Sequence, residues 1–321
     1  MVLKFYAEEK DKDRTVYSVL RRELRISATM LRRLKSAGVI SVGGESVFTN
    51  YKLSPGETLE VDIDGAEQPC DNLPQYGKLE ILFENEGLLA VNKPSGILVH
   101  PSRSRHLGTL SNFVAGYLAG VSEDFVLDLQ QDPAQPSLTL PPQVACHAVN
   151  RLDRDTSGVV LFAKNSYMKD LASKALGEPE VKKEYLALVA GKMPDSGTID
   201  APIKRLEERN MFRIVSADGQ RAVTHFETLE NFDDFSLVKF RLETGRTHQI
   251  RVHCRHMGHP IIGDKLYCND EALAISRALG AETQALHAKW LSFIEPLSGQ
   301  HIEITAPWKV PIDVKNFPCI L

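Results

Sequence analysis

Short apolar runs bounded by polar turns recur along this chain with few helices between them, and that pattern constrains the fold more than any single motif. "LEILFENEGLLAVNKPSGILVH", "GVVLFAKN", "KEYLALVAGKM", "AVTHFETLE" and "FSLVKFRLETG" read as strands. Helical periodicity is confined to a few places, notably "SYMKDLASKAL" and "HQIRVHCRHM". The pattern speaks against regular βαβ winding. The expected class is α+β, with a central, mainly antiparallel or mixed sheet flanked by helices and loops. No internal repeat or low-complexity tract interrupts it, and no run of about 18 apolar residues offers a membrane span.

The first 66 residues read as a module of their own. Val16, Val19, Leu20 and Leu24 recur at helical spacing. Ser27 can cap a second helix that carries Met30, Leu31 and Leu34 inward and stops at Gly38. "VISVGGESVF" reads as a hairpin about Gly43-Gly44, and "SPGETLEVDI" as a turn into an alternating strand. Between Arg14 and Lys35 stand seven basic residues against one acidic residue, Glu23. Such a face is either plain solvated surface or a phosphate-binding surface. Residues 67–77, polar and bearing two prolines, read as a linker to a large domain over 78–321. Within that domain, the proline-rich stretch 121–143 reads as a surface insertion.

Several function classes lose support. The phosphate-loop, dinucleotide, zinc-protease and nucleophile-elbow motifs are absent, so no cofactor is expected. "HQIRVHCRHMGH" places His253 and His256 on one helical face, yet Arg246, Arg251 and Arg255 would repel a divalent ion, and no metal is expected. The five cysteines are scattered without a CxxC pair, and the amino terminus turns charged at once. Both point to a reducing cytoplasm. A net charge of −4 says nothing for or against nucleic acid; where the basic residues lie matters more.

"HAVNRLDRDTSG" (147–158) is the segment richest in chemistry. Two aspartates, Asp153 and Asp155, stand beside Arg151 and Arg154, just before the apolar strand "VVLFA". Loops that feed a buried strand commonly carry catalytic side chains. Asp155 can accept backbone N–H bonds in the Thr-Ser-Gly turn. Asp153, by itself, is either one half of a structural ion pair or a reactive carboxylate. Tyr185, on a strand face with Ala187 and Val189, reads equally as core. Arg246, at the turn into a helix, reads equally as a surface ion pair.

Three segments taken together resolve the choice. "NRLDRDTSGVVLFAKN", "KKEYLALV" and "LETGRTHQIRVHCRHMGHPIIGDKLY" resemble, in order and spacing, the three signature blocks of the RluA-type pseudouridine synthases. "NEGLLAVNKPSGILVHPS" resembles that family's leading block, while "GTIDAPIKR" and "RAVTHFETLE" resemble its RluD-like branch. The resemblance runs from about residue 78 to 309. Residues 13–63 resemble the small RNA-binding domain named after ribosomal protein S-four, which precedes the catalytic domain in that branch. Two departures stand out: Asn150 occupies a position where many members have histidine, and the 121–143 insertion is longer than usual.

The resemblance implies an RNA pseudouridine synthase with the fold of that family and no cofactor. It implies Asp153 as the essential carboxylate, acting at the ribose, with Arg246 paired to it. Tyr185 would stack on the target base and help remove its carbon-bound proton, and Ile250 would wall the pocket. Arg151 would fill the place that the flipped base vacates, with Asn150 beside it in contact with RNA. Arg21, Arg22, Arg32, Arg33 and Lys35 would present the basic face of the S-four-like domain to phosphates. The expected substrate is large-subunit ribosomal RNA, with transfer RNA as the alternative and no protein partner required. The rival classes are a non-catalytic RNA binder on this scaffold and a hydrolase using Asp153 and Asp155 as paired acids.

Overall fold

The computed structural model describes residues 1–68, 70, 72–102, 106–123, 144–207 and 211–312. Its amino-terminal part contains strand β1 (Val2–Tyr6), helices α1 (Val16–Arg22) and α2 (Ala28–Ala37), and strands β2 (Ile40–Val42), β3 (Glu45–Ser46) and β4 (Thr58–Asp62). The strands form an antiparallel sheet in the order β1-β4-β2-β3. Ser27 Oγ accepts the Met30 N–H at 3.2 Å, and Gly38 ends α2 in the left-handed region. Gly43 and Gly44 take φ +59° and +85°, the paired left-handed residues that let a two-residue hairpin follow the strand twist. Strand β1 was not foreseen. In "VLKFY" the exposed face carries Val2 and Tyr6 beside Lys4, so the apolar residues run on rather than alternate with polar ones; pairing with β4 makes it an edge strand.

The remainder contains β5 (Ile81–Glu84), β6 (Leu88–Lys93), α3 (Leu110–Leu118), β7 (His147–Ala148), β8 (Ser157–Ala163), α4 (Ser166–Ala175), β9 (Lys182–Ala190), β10 (Ser196–Asp200), β11 (Ile203–Arg205), β12 (Arg213–Val215), β13 (Val223–Asn231), β14 (Phe235–Leu242), α5 (Gln249–His256), α6 (Asp270–Ala278), β15 (Leu286–Ile294) and β16 (His301–Thr305). Among the described residues ten strands make one mixed sheet in the order β10-β13-β14-β9-β15-β8-β6-β5, with β16 beside β15 and β7 beside β8. Strands β11 and β12 form a separate hairpin.

The run "VVLFA" behaves as a strand covered on both faces. Val159, Leu161 and Ala163 join the core under α4, while Val160 and Phe162 join the core under α3. Strands β8 and β15 run parallel at one seam, where Ser157 faces His287 and Gly158 faces Ala288. Gly158 is required there. Its φ is +113°, and a Cβ would lie 2.2 Å from the Ala288 carbonyl oxygen. The seam joins the two halves of the sheet and brings the loop before β8 against β9 and the β14–α5 turn.

Residues 1–66 share one hydrophobic core with β6, β8 and α4. Tyr167 Oη donates to the Leu24 carbonyl at 2.8 Å. Glu67 accepts from Ser166 N and Oγ at 2.7 and 2.8 Å, and Arg33 reaches both residues. The 67–77 segment is docked rather than free: Gln75 and Leu73 bond to Asn112, and Gly116 has no room for a side chain against Gln75. The insertion expected at 121–143 lies, from 124 onward, outside the described residues. Among the described residues no helix is long and apolar enough to cross a membrane.

Candidate active site

The loop between β7 and β8 is built to hold still. The Thr156 N–H donates to the Asp153 carbonyl at 3.2 Å, closing the turn. Beneath it, the fully buried Lys93 directs its ammonium at three carbonyls: Pro94 at 2.9 Å, Ile97 at 2.8 Å and Arg154 at 2.7 Å. Three donors meet three acceptors, which satisfies the group completely. Burial pulls the Lys93 pKa down to about 7. Ser95 Oγ donates to the Asp155 carbonyl at 2.8 Å, so the "NKPSG" turn supports the whole loop.

Above this support lies an open cavity of about 110 Å³, with Arg151, Asp153, Tyr185, His248, Ile250 and Arg251 among its lining residues. Asp153 Oδ2 accepts from Arg251 Nη1 at 2.9 Å. The same guanidinium grips the buried Asp264 through Nε at 2.7 Å and Nη2 at 2.8 Å, and lies 4.9 Å above the Tyr267 ring. A fork with two prongs on Asp264 presents its third to Asp153 in a fixed direction. Burial works against the Arg251 charge, but the bonds and charges of Asp264 and Asp153 outweigh it and raise its pKa. Tyr185, half-buried on β9, has its pKa pushed up to about 12 by burial and by the Asp153 charge, so it stands as a neutral phenol.

The expected residues distribute unevenly. Asp153, Tyr185, Ile250 and Arg246 all line the cavity, and Arg151 and Arg246 stand exposed at its rim. The expected Asp153–Arg246 pair is a correction: the partner is Arg251. Arg246 lies in the turn before α5, where its backbone N–H is held by Gln249 Oε1, and its exposed guanidinium donates to the Arg221 carbonyl at 3.0 Å. Asn150 has backbone partners. Its Oδ1 accepts the Leu161 N–H at 2.7 Å and its Nδ2 donates to the Val159 carbonyl at 3.2 Å, so the amide extends the ladder of β8. Arg33, its side chain 32% exposed, reaches Ser166 at 3.3 Å and Glu67 at 3.6 Å. Arg21, Arg22, Arg32 and Lys35 remain exposed. Asp155 bonds the Arg154 guanidinium at 3.0 Å through both oxygens instead of the turn N–H groups, which removes it from the cavity.

His253 is a structural residue, with Nδ1 on Thr224 Oγ1 at 2.8 Å and Nε2 on the Ala201 carbonyl at 2.9 Å. Among the described residues no group of three or more histidine, cysteine or acidic side chains gathers as a metal site. Arg251, Asp264, Tyr267 and His248 were not singled out from sequence. All of Gln249–Cys254 is buried, so no apolar stripe separated inward from outward positions. The available signal was spacing: His248 and Arg251 stand three apart, on one face.

This arrangement is one anchored carboxylate, one protonated phenol and one apolar wall around a cavity open to solvent. The fold is that of a pseudouridine synthase. Human RNA Pseudouridylate Synthase Domain Containing 1 superposes with a TM-score of 0.55 at 24% identity, over 75% of this chain and 86% of that one. A family model for RNA pseudouridylate synthase matches residues 87–256. The chain is 34% identical over 317 residues to "Uncharacterized RNA pseudouridine synthase YhcT" of Bacillus subtilis (strain 168), covering 98% of this chain and 95% of that protein. It is 35% identical over 297 residues to "Ribosomal large subunit pseudouridine synthase D" of Xanthomonas campestris pv. campestris, covering 90% and 83%. The chain belongs to the RNA pseudouridylate synthase family, in its RluA-type division, and is an RNA pseudouridine synthase.

Proposed function

We propose that Asp153 is the carboxylate that acts at the ribose of a flipped-out uridine, and that the uridine belongs to large-subunit ribosomal RNA. The observation that supports the first part is the Asp153–Arg251 pair at the floor of the cavity. A carboxylate that must react has to stay ionised, and an adjacent fixed cation favours that form. The C1′–N1 bond breaks, the uracil turns, and a C1′–C5 bond forms; N1 gains a proton and C5 loses one. No redox partner or phosphate donor is needed. A stacked uridine cannot reach Asp153, so the nucleotide leaves the stack at a cost of a few kcal/mol. Arg151, exposed at the rim, is placed to fill the gap. Ile250 walls the pocket, and Tyr185 lies flat ground for the base. Removal of the C5 proton by Tyr185 requires its phenolate, so that role would show as a rate that rises toward alkaline pH.

Support for ribosomal RNA comes from the relatives named as ribosomal large subunit pseudouridine synthase D. The exposed Arg21, Arg22, Arg32 and Lys35 on α1 and α2 fit an S-four-like module that contacts phosphates, which would make binding salt-sensitive without adding sequence preference. The test is release of tritium from an unmodified large-subunit ribosomal transcript labelled at C5 of uracil. Wild type should release it and Asp153→Asn should not; release by the variant at the normal rate would overturn the role of Asp153. Pseudouridine mapping in a deletion strain should show a site lost from large-subunit RNA. Loss only from transfer RNA would overturn the substrate.

A further inference from the structure

His248 lines the cavity, and the roles above give it no work. It precedes α5 in the left-handed region, φ +59° and ψ +21°, a conformation that a residue other than glycine holds only when its surroundings demand it. The demand is visible. His248 Nδ1 lies 2.8 Å from Tyr267 Oη, and the two rings meet edge to face. Tyr267 is 1% exposed, and its Oη also accepts the backbone N–H of Arg213, on the β12 hairpin, at 2.9 Å.

A phenol has one hydrogen. The Arg213 N–H already points at the oxygen, and among the described residues Nδ1 is the remaining partner in reach. If His248 carried its hydrogen on Nδ1, the Tyr267 hydrogen would be buried with no acceptor, a situation folded proteins avoid. Tyr267 therefore donates to Nδ1, and the ring hydrogen resides on Nε2. Burial is the largest influence on the ring and lowers its pKa, which keeps it uncharged at neutral pH. Nε2 faces the cavity 3.7 Å from Asp153 Oδ2, too far for a hydrogen bond, and that oxygen is already held by Arg251. A donor is thus left aimed into the pocket beside the reacting carboxylate.

We propose that His248 binds substrate through Nε2–H, donating to the 2′-hydroxyl of the flipped uridine, with its tautomer set by Tyr267. The inference rests on the reading that Asp153 acts at the ribose. The carbon bearing the 2′-hydroxyl adjoins C1′, and a hydroxyl can accept from Nε2–H while donating to the free Asp153 oxygen. The same contact would tell RNA from DNA at the reacting nucleotide. The Arg213–Tyr267–His248 chain also ties the β11–β12 hairpin to the pocket.

The first test needs no RNA. Nitrogen-15 NMR of the histidine rings in the full chain should show His248 with hydrogen on Nε2, and Tyr267→Phe should bring the other tautomer into the population. A wild-type His248 with hydrogen on Nδ1 would overturn the proposal. The second compares variants in single turnover on the labelled large-subunit transcript. His248→Asn tolerates the left-handed backbone but cannot reach the Nε2 position, and should slow tritium release about tenfold, the worth of one hydrogen bond. His248→Gln, which can bring an N–H there, should recover most of the rate. Equal losses in Asn and Gln variants would mark a purely structural role and overturn the proposal, as would no loss in either. With 2′-deoxyuridine at the mapped target, His248→Asn should add no further loss to the wild-type rate, and a persisting tenfold defect would rule out the 2′-hydroxyl. Should the wild type release no tritium at all, the reading of function fails, and the NMR result by itself decides the tautomer.

Discussion

Replacing Arg251 by methionine separates the charge of this site from its shape. Methionine fills comparable volume but leaves two carboxylates without their shared cation: Asp153, whose side chain is 27% exposed, and Asp264, whose side chain is 0% exposed. Asp153 can recruit water. Asp264 cannot; it keeps only the backbone N–H groups of Leu266 at 2.9 Å and Tyr267 at 3.2 Å. Removing one partner of a buried ion pair typically destabilises by about 3–5 kcal/mol, because the remaining charge is left uncompensated. Arg251→Met should lose that much in urea unfolding. Arg246→Met, which removes one exposed bond to a carbonyl, should lose less than about 1 kcal/mol. Replacing both members, Arg251→Met with Asp264→Leu, should restore most of the stability, since a buried pair and a well-packed apolar pair are close in free energy. Tritium release should stay at least about a hundredfold down in both Arg251 variants, as expected when a preorganised charge is removed from a reacting group. The reasoning is refuted if Arg251→Met unfolds like wild type, or if the two losses in the double variant simply add.

Lys93 offers a test by pH. Its folded pKa of about 7 lies below the value of the exposed amine, so between about pH 7 and pH 10 the unfolded chain binds the extra proton. Wild-type stability should therefore rise with pH relative to Lys93→Met, by at most about 1.4 kcal/mol per pH unit; parallel curves would refute the assignment. Glu67→Ala removes the acceptor of two Ser166 bonds and the partner of Arg33. It should cost roughly 3 kcal/mol and expose the 60–70 region to limited proteolysis. Burial opposes the Glu67 charge, but the two Ser166 bonds and the His147 ring 3.8 Å away outweigh it and lower its pKa. That contribution is present above the ordinary carboxylate range and fades as the pH falls through it, so wild type and Glu67→Ala should converge in stability in acid. Tyr185→Phe keeps the stacking surface and loses the phenol; a retained rate at pH 7 with loss of any alkaline rise would separate the two roles.

Much of the local structure was legible from residues within a few positions of one another. Ser27 and Gly38 mark the ends of α2, Gly43-Gly44 makes its hairpin, and the unbroken "VVLFA" becomes a strand covered on both faces. These are decided by capping, left-handed backbone and side-chain period, which act over one turn. Asp153, Tyr185 and Ile250 came from the family blocks, and they do line one cavity. Edge strand β1 escaped notice because what makes it a strand is β4, more than fifty residues away.

The partners of the charged groups were a different matter. Arg246 and Arg251 are five residues apart with the same chemistry, and sequence alone offers both to Asp153. The turn at His248 and the phase of α5 send one guanidinium outward to a carbonyl and the other inward, where Asp264 orients it toward a loop 98 residues earlier in the chain. Asn150 and Arg33 found partners in the same manner, in the open ladder of β8 and in Glu67. The sequence by itself determined most of the elements, because short-range sterics suffice for those, and the family blocks within it pointed to Asp153. Which arginine holds that carboxylate, and which tautomer faces it, was decided only when the β8–β15 seam brought the distant segments into contact, since an ion pair is selected by direction and distance in space.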